Sequence, residues 1–104
     1  MSGMQCALEI SADHPAFAGH FPNFPVLPGA VLIDEVLKII EQACGIDLTQ
    51  WHISAAKFLA PVRPRDRLVV EHEAPAEGLI RFSIRLGSRT VASGMLSQRR
   101  GNGP

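Results

Sequence analysis

The stretch His20-Phe-Pro-Asn-Phe-Pro-Val-Leu-Pro-Gly29-Ala-Val-Leu-Ile-Asp34-Glu35 decides how the rest of the chain is read. An ionisable ring opens a segment stiffened by Pro22, Pro25 and Pro28, each of which fixes its own φ and pushes the residue before it out of the helical region. The segment therefore stays extended. Gly29 lifts that restriction, and apolar residues with helical spacing begin at once, which predicts a helix from about Gly29 to Cys44. Asp34 falls in its second turn. A histidine on a stiff loop, unpaired N–H groups at a helix start and a carboxylate one turn inside are three of the parts that acid/base chemistry on a carbonyl compound requires.

Val31, Leu32, Ile33, Val36, Leu37, Ile39, Ile40 and Ala43 occupy most of the helix circumference and leave a narrow stripe of Asp34, Lys38 and Glu41, with Glu35 and Gln42 beside it. So apolar a helix is buried against more than one surface, which in a chain of 104 residues means a sheet wrapped around it, or a sheet plus a partner subunit. On spacing alone, the simpler reading of Asp34 is a solvated carboxylate paired with Lys38 at i, i+4.

Outward from the helix the pattern changes to strands. Cys6, Leu8 and Ile10 alternate with polar or small residues and predict a first strand ending near Ser11. Asp13-His14-Pro15 reads as a turn, and His14 as a surface residue, whereas Phe17 and Phe21 give His20 apolar neighbours. Gly45 is placed to end the helix. A strand follows from about Ile53 to Leu59, a proline-bearing connection from Pro61 to Arg67, a strand from Leu68 to Glu73, a turn at Pro75 to Gly78, and a hairpin of Leu79 to Leu86 and Thr90 to Ser97 across Gly87-Ser88. Periodicity alone gives an α+β domain with a mostly antiparallel sheet over residues 1 to 97, and residues 98 to 104 as a polar, flexible tail.

Ten basic and ten acidic side chains balance, which argues against an extended nucleic-acid surface and against an anionic-membrane binder. The N-terminus carries no basic-then-apolar signal, and no apolar run approaches the roughly 20 residues of a membrane helix, so a cytoplasmic protein is expected. Cys6 and Cys44 lack metal-ligand spacing and read as small buried residues in a reducing compartment; no metal site is predicted. Arg63, Arg65 and Arg67 alternate in the proline-bearing connection, and Arg81, Arg85 and Arg89 recur near the hairpin. These are either solvated charge or a positive patch for an acidic partner.

The quoted stretch resembles the signature of the 3-hydroxyacyl-(acyl carrier protein) dehydratases, His-Phe-x-x-x-Pro-x-x-Pro-Gly with Glu or Asp fourteen positions after the histidine. His20, Phe21, Pro25, Pro28, Gly29 and Asp34 match it. Lys57-Phe58, Pro61-Val62, Pro64, Asp66, Leu68 and Glu71 resemble the family's strand and turn after the helix, so the likeness runs from about Phe17 to Glu71. The resemblance implies a hot-dog fold, one long central helix wrapped by a mostly antiparallel sheet. It also implies a cofactor-free homodimer whose histidine and acid come from different subunits. His20, like an ordinary histidine titrating near about 6.5, would take the C2 proton of a 3-hydroxyacyl thioester. Asp34 would hold or protonate the departing hydroxyl, and the Gly29 N–H would serve the thioester oxygen. Val26, Phe21, Leu27 and Ala30 would line the substrate site, and Arg63, Arg65 and Arg67 would meet the acyl carrier protein, or coenzyme A would take its place.

Three positions depart from the family's usual residues: Lys38 stands where Gln is common, and Asn23 and Arg65 where Gly is common. A lysine four residues after the acid favours an orienting role for Asp34. The short chain is more like the compact dehydratase-like proteins of aryl-polyene and other specialised lipid pathways than the housekeeping enzymes of fatty-acid synthesis. Two other readings stay open: a non-catalytic acyl-thioester or carrier-protein binding module of the same fold, and a hot-dog thioesterase.

Overall fold

In a computed structural model of the chain, the residues described are 3–11, 13 and 26–99. The order of elements is β1 (Gly3–Glu9), α1 (Gly29–Cys44), a short 3-10 turn (Leu48–Gln50), β2 (Trp51–Phe58), β3 (Arg67–Glu73), β4 (Leu79–Leu86) and β5 (Arg89–Gln98). The five strands form one sheet in the order β1-β3-β4-β5-β2, and all four ladders are antiparallel. This is the expected arrangement of one helix and an antiparallel sheet.

Helix α1 begins and ends where the sequence dictates. Pro28 sits at the N-cap with φ −58° and ψ 142°, the extended setting that proline imposes outside a helix. At the other end Gly45 takes the left-handed conformation, φ 64°, and the Ile46 N–H reaches back to the Glu41 carbonyl at 3.3 Å. The Glu41 carboxylate then accepts the Leu48 N–H at 2.9 Å, which fixes the path into β2.

The helix buries Leu32, Ile33, Val36 and Ile40, the i, i+4, i+8 row and its neighbour, against the sheet face carrying Leu68, Val70, Ile80, Phe82, Ile84, Ala92 and Leu96. Val31, Leu37 and Ile39 are only half-buried and Ala43 is exposed, so one chain covers one side of this apolar helix and leaves the rest to other surfaces. In β3 and β4 burial alternates along the strand, as expected for strands with one face on a core.

Four expectations need correction. Cys6 is exposed, not buried: it faces the same side of the sheet as the buried Val70 opposite it, but β1 is an edge strand and leaves it open. The first strand runs from Gly3 to Glu9, and Ile10 is buried just beyond it. The second starts at Trp51 and stops at Phe58, where the Leu59 and Ala60 N–H groups turn to the Val91 carbonyl at 2.8 and 3.2 Å. At the C-terminal end, β5 continues to Gln98, whose N–H bonds Gly78, and the Arg99 N–H bonds Gln50.

Candidate active site

The start of α1 faces the end of β2 across a cleft of about 640 Å³ lined by Val26, Leu27, Gly29, Ala30, Leu32, Phe58, Leu59, Ala60, Pro61 and Val62. The Leu27 N–H bonds the Val62 carbonyl at 2.8 Å, and both side chains are buried, so the segment entering the helix is tied to the connection leaving β2. Four of the expected substrate-site residues, Val26, Leu27, Gly29 and Ala30, thus share one wall.

The helix start has no side-chain cap among the described residues. Proline offers no capping side chain, and the first turn holds no acidic residue. Val31 and Leu32 donate to the Pro28 carbonyl at 3.0 and 3.1 Å, while nothing among the described residues accepts from the Gly29 or Ala30 N–H. Gly29 and Ala30 both line the apolar cleft, so the positive end of the helix lies against it, a setting that favours a developing negative charge on an oxygen.

Asp34 lies four residues past Ala30, on the same face of α1. Its side chain is 64% exposed and pairs with Lys38, Nζ to Oδ2 3.4 Å; the same Nζ is 3.8 Å from Glu35 Oε1. The i, i+4 pair read from spacing is thus present. It is also compatible with a site acid, because the face that carries it is open in a single chain. His20 and Phe21, together with Asn23, lie outside the described residues.

Arg63 and Arg65 on the β2–β3 connection and Arg67 at the first position of β3 are all exposed. Asp66 fixes the backbone of the connection by accepting the Arg63 N–H at 2.9 Å, the Arg65 N–H bonds the Ile10 carbonyl at 3.0 Å, and Arg67 Nε comes 4.0 Å from Glu9. Arg65 has φ 66°, which explains why glycine suits that position: a side chain there costs about 1–2 kcal/mol of backbone strain.

Sequence reasoning missed Phe58 as part of this site. A Cβ on residue 29 would lie 2.8 Å from two carbons of the Phe58 ring, so the ring rests directly on the Gly29 backbone. Any side chain here would require the ring to shift. A second opening of about 660 Å³, lined by Gln5, Glu71, Glu73 and Arg81, lies on the β1–β3–β4 part of the sheet and contains none of the expected site residues. Among the described residues no group of three or more His, Cys, Asp or Glu side chains could hold a metal ion. Nor is any described helix long and apolar enough to cross a membrane.

Residues 1–95 match the ApeI-like family, described as ApeI dehydratase. The chain belongs to that dehydratase family. A 3-hydroxyacyl-[acyl-carrier-protein] dehydratase FabZ from Chlamydia trachomatis is 33% identical over 102 residues, covering 86% of this chain and 67% of the relative. The FabZ of Granulibacter bethesdensis is 37% identical over 74 residues, covering 62% and 44%. The chain thus spans between about half and two thirds of these relatives' length. Among solved structures, the dehydratase heterocomplex ApeI:P from Xenorhabdus doucetiae superposes with a TM-score of 0.76 at 26% identity, over 95% of this chain and 88% of that one. The family's hot-dog fold is the one described above.

Proposed function

We propose that the chain dehydrates 3-hydroxyacyl thioesters to 2-enoyl thioesters, in fatty-acid or specialised polyene and lipid biosynthesis in the cytoplasm. The observation that carries this reading is the first turn of α1, where Gly29 and Ala30, whose N–H groups have no acceptor among the described residues, line an apolar cleft with Asp34 one turn along the same helix face. The thioester oxygen would accept from these donors, which lowers the cost of the negative charge that grows when C2 loses its proton. His20 would take that proton. The electron pair left on C2 forms the double bond to C3, the C3–O bond breaks, and the oxygen leaves as water after Asp34 or the imidazolium returns a proton. An exposed Asp34 paired with Lys38 fits an orienting carboxylate that holds the hydroxyl.

The reading needs a second copy. Strand β2 is an edge strand with no buried residue, and Ile53 and Phe58 on it and Leu59 beyond it are 44%, 52% and 51% exposed. Such an edge is a template for antiparallel pairing with its own equivalent, which would extend the sheet through a two-fold axis and cover the half-open face of α1. His20 of one subunit would then face Asp34 of the other. The exposed Arg63, Arg65 and Arg67 would meet an acidic carrier protein, with coenzyme A as the other carrier of the same thioester.

The test incubates the protein with 3-hydroxyacyl and 2-enoyl thioesters on carrier protein and on coenzyme A, wild type beside His20→Ala and Asp34→Ala. Interconversion that falls by about 10²-fold or more in both variants supports the enzyme. Release of free thiol would instead identify a thioesterase, and tight binding without turnover a binding module. Light scattering on the same samples reads the assembly, and a monomer without turnover that becomes active with a homologous chain would replace the homodimer by a heterocomplex.

A further inference from the structure

Phe58 joins the two walls of the cleft. It is the last residue of β2, pairs across the ladder with the fully buried Ala92 of β5, and extends its ring over the first residue of α1. The backbone beneath it is fixed where β2 leaves the sheet, because the next two N–H groups both donate to the Val91 carbonyl. Phe58 is nevertheless 52% exposed: its ring lies against Gly29, and the residue borders the cleft. The other described side chains around the opening, among them Val26, Leu27, Ala30 and Val62, are aliphatic, so Phe58 is the one large planar wall among them.

We propose that Phe58 sets which acyl thioesters reach the Gly29 and Ala30 amides, by presenting its ring to C2 of the acyl group. The inference rests on the dehydratase reading and names the substrate class that it selects, thioesters without a branch at C2. A carbonyl oxygen accepting from the Gly29 N–H sits about 2.9 Å from that nitrogen. Its carbon lies about 1.2 Å further and C2 about 1.5 Å beyond that, so C2 stays within about 6 Å of Gly29, the residue that the ring covers. Nothing separates the ring from the Gly29 backbone, since even a methyl group would have to lie 2.8 Å from two ring carbons. The wall cannot retreat towards the helix, and its backbone is pinned. An unbranched C2 methylene fits against it, whereas a methyl substituent must push the ring away or pull the carbonyl off its donors. A single methyl group in an apolar pocket is worth a discrimination of roughly 10–200-fold.

The test compares pairs of 3-hydroxyacyl pantetheine thioesters that differ only by a methyl group at C2; both retain the proton that elimination removes. Turnover and binding are measured for wild type, Phe58→Ala, Phe58→Leu and Phe58→Tyr, each first checked for a cooperative melt. The wild type is expected to favour the unbranched member at least tenfold in kcat/KM and in Kd. Phe58→Ala is expected to shrink that preference about tenfold, chiefly by improving the branched substrate, and Phe58→Leu to fall between. Phe58→Tyr, which keeps the ring, should restore the wild-type ratio. An unchanged ratio in Phe58→Ala, or in Phe58→Leu should the alanine variant fail to fold, overturns the proposal. Absence of turnover in every variant would sink the dehydratase reading, while the binding ratio would still decide whether the ring is the selecting wall.

Discussion

Strands β4 and β2 are both eight residues long and both pair with β5, yet one alternates cleanly between buried and exposed positions and the other has no buried residue. The difference is one of position: β4 has a strand on either side and the helix across one face, whereas β2 has a neighbour on one side only. Its apolar residues are spaced as they would be in an interior strand, and it carries a single charged residue, Lys57, with one bulge between Ile53 and Ala55. Edges that must stay unpaired carry stronger protection than that. The centre of the sheet therefore holds the core of the chain together, while its β2 side leaves apolar surface uncovered.

The largest effects should fall in the centre. Ile84 is fully buried, and truncation to Ala is expected to cost about 2–5 kcal/mol in a denaturant titration, the usual range for a cavity left by a branched aliphatic side chain. On the other side, Ile53→Glu places a charge on the free edge. It should lower subunit stability by less than about 1.5 kcal/mol, since the residue is 44% exposed, but shift the protein to a monomer in light scattering and abolish turnover. If both substitutions unfold the chain equally, the contrast between the strands is wrong.

Gly29→Ala sharpens the same contrast at the cleft. Alanine improves helix propensity by up to about 1 kcal/mol, but its methyl group would meet the Phe58 ring at 2.8 Å. We expect the collision to outweigh the propensity, lowering turnover at least tenfold, and Phe58→Ala in the same chain to recover part of it. Recovery measures the coupling between the two positions, and additive losses would mean that they do not touch in the working enzyme.

What the sequence made legible follows from how local the cause was. The expected span of α1, about Gly29 to Cys44, agrees with the observed one because Pro28 and Gly45 act on their own backbone, and the Asp34–Lys38 pair followed from helical spacing. Strands β3 and β4 were placed to within a residue because turn residues on either side of each bound it locally. The bounds of β2 and the exposure of Cys6 were missed for the opposite reason: both lie on edge strands, whose surroundings one sequence does not contain. The contact of Phe58 with Gly29 had no periodic signal at all, since the fold alone brings those residues together. The motif singles out Gly29, but its contact with the Phe58 ring lies in the packing and has no trace in the motif.

The smallest expected effect belongs to the loop that delivers the chain from α1 to β2. The Asp47 carboxylate accepts the Thr49 N–H at 2.9 Å, and that backbone bond, then the one to the Thr49 side chain, holds its carboxyl below the ordinary aspartate value of 3.8. A depressed folded-state value means that the unfolded chain binds the proton more readily, so the stabilisation is complete above the ordinary range and is lost as pH falls through the lower folded value. Asp47→Asn keeps an acceptor for Thr49 but removes the charge, and Asp47→Ala removes both. At neutral pH the melting point should fall slightly in the alanine variant and less in the asparagine one; in acid the wild type should converge on the asparagine variant. A gap between those two that stays constant from neutral pH into acid would mean that the carboxylate contributes nothing through its charge, and that β2 is started by the turn alone.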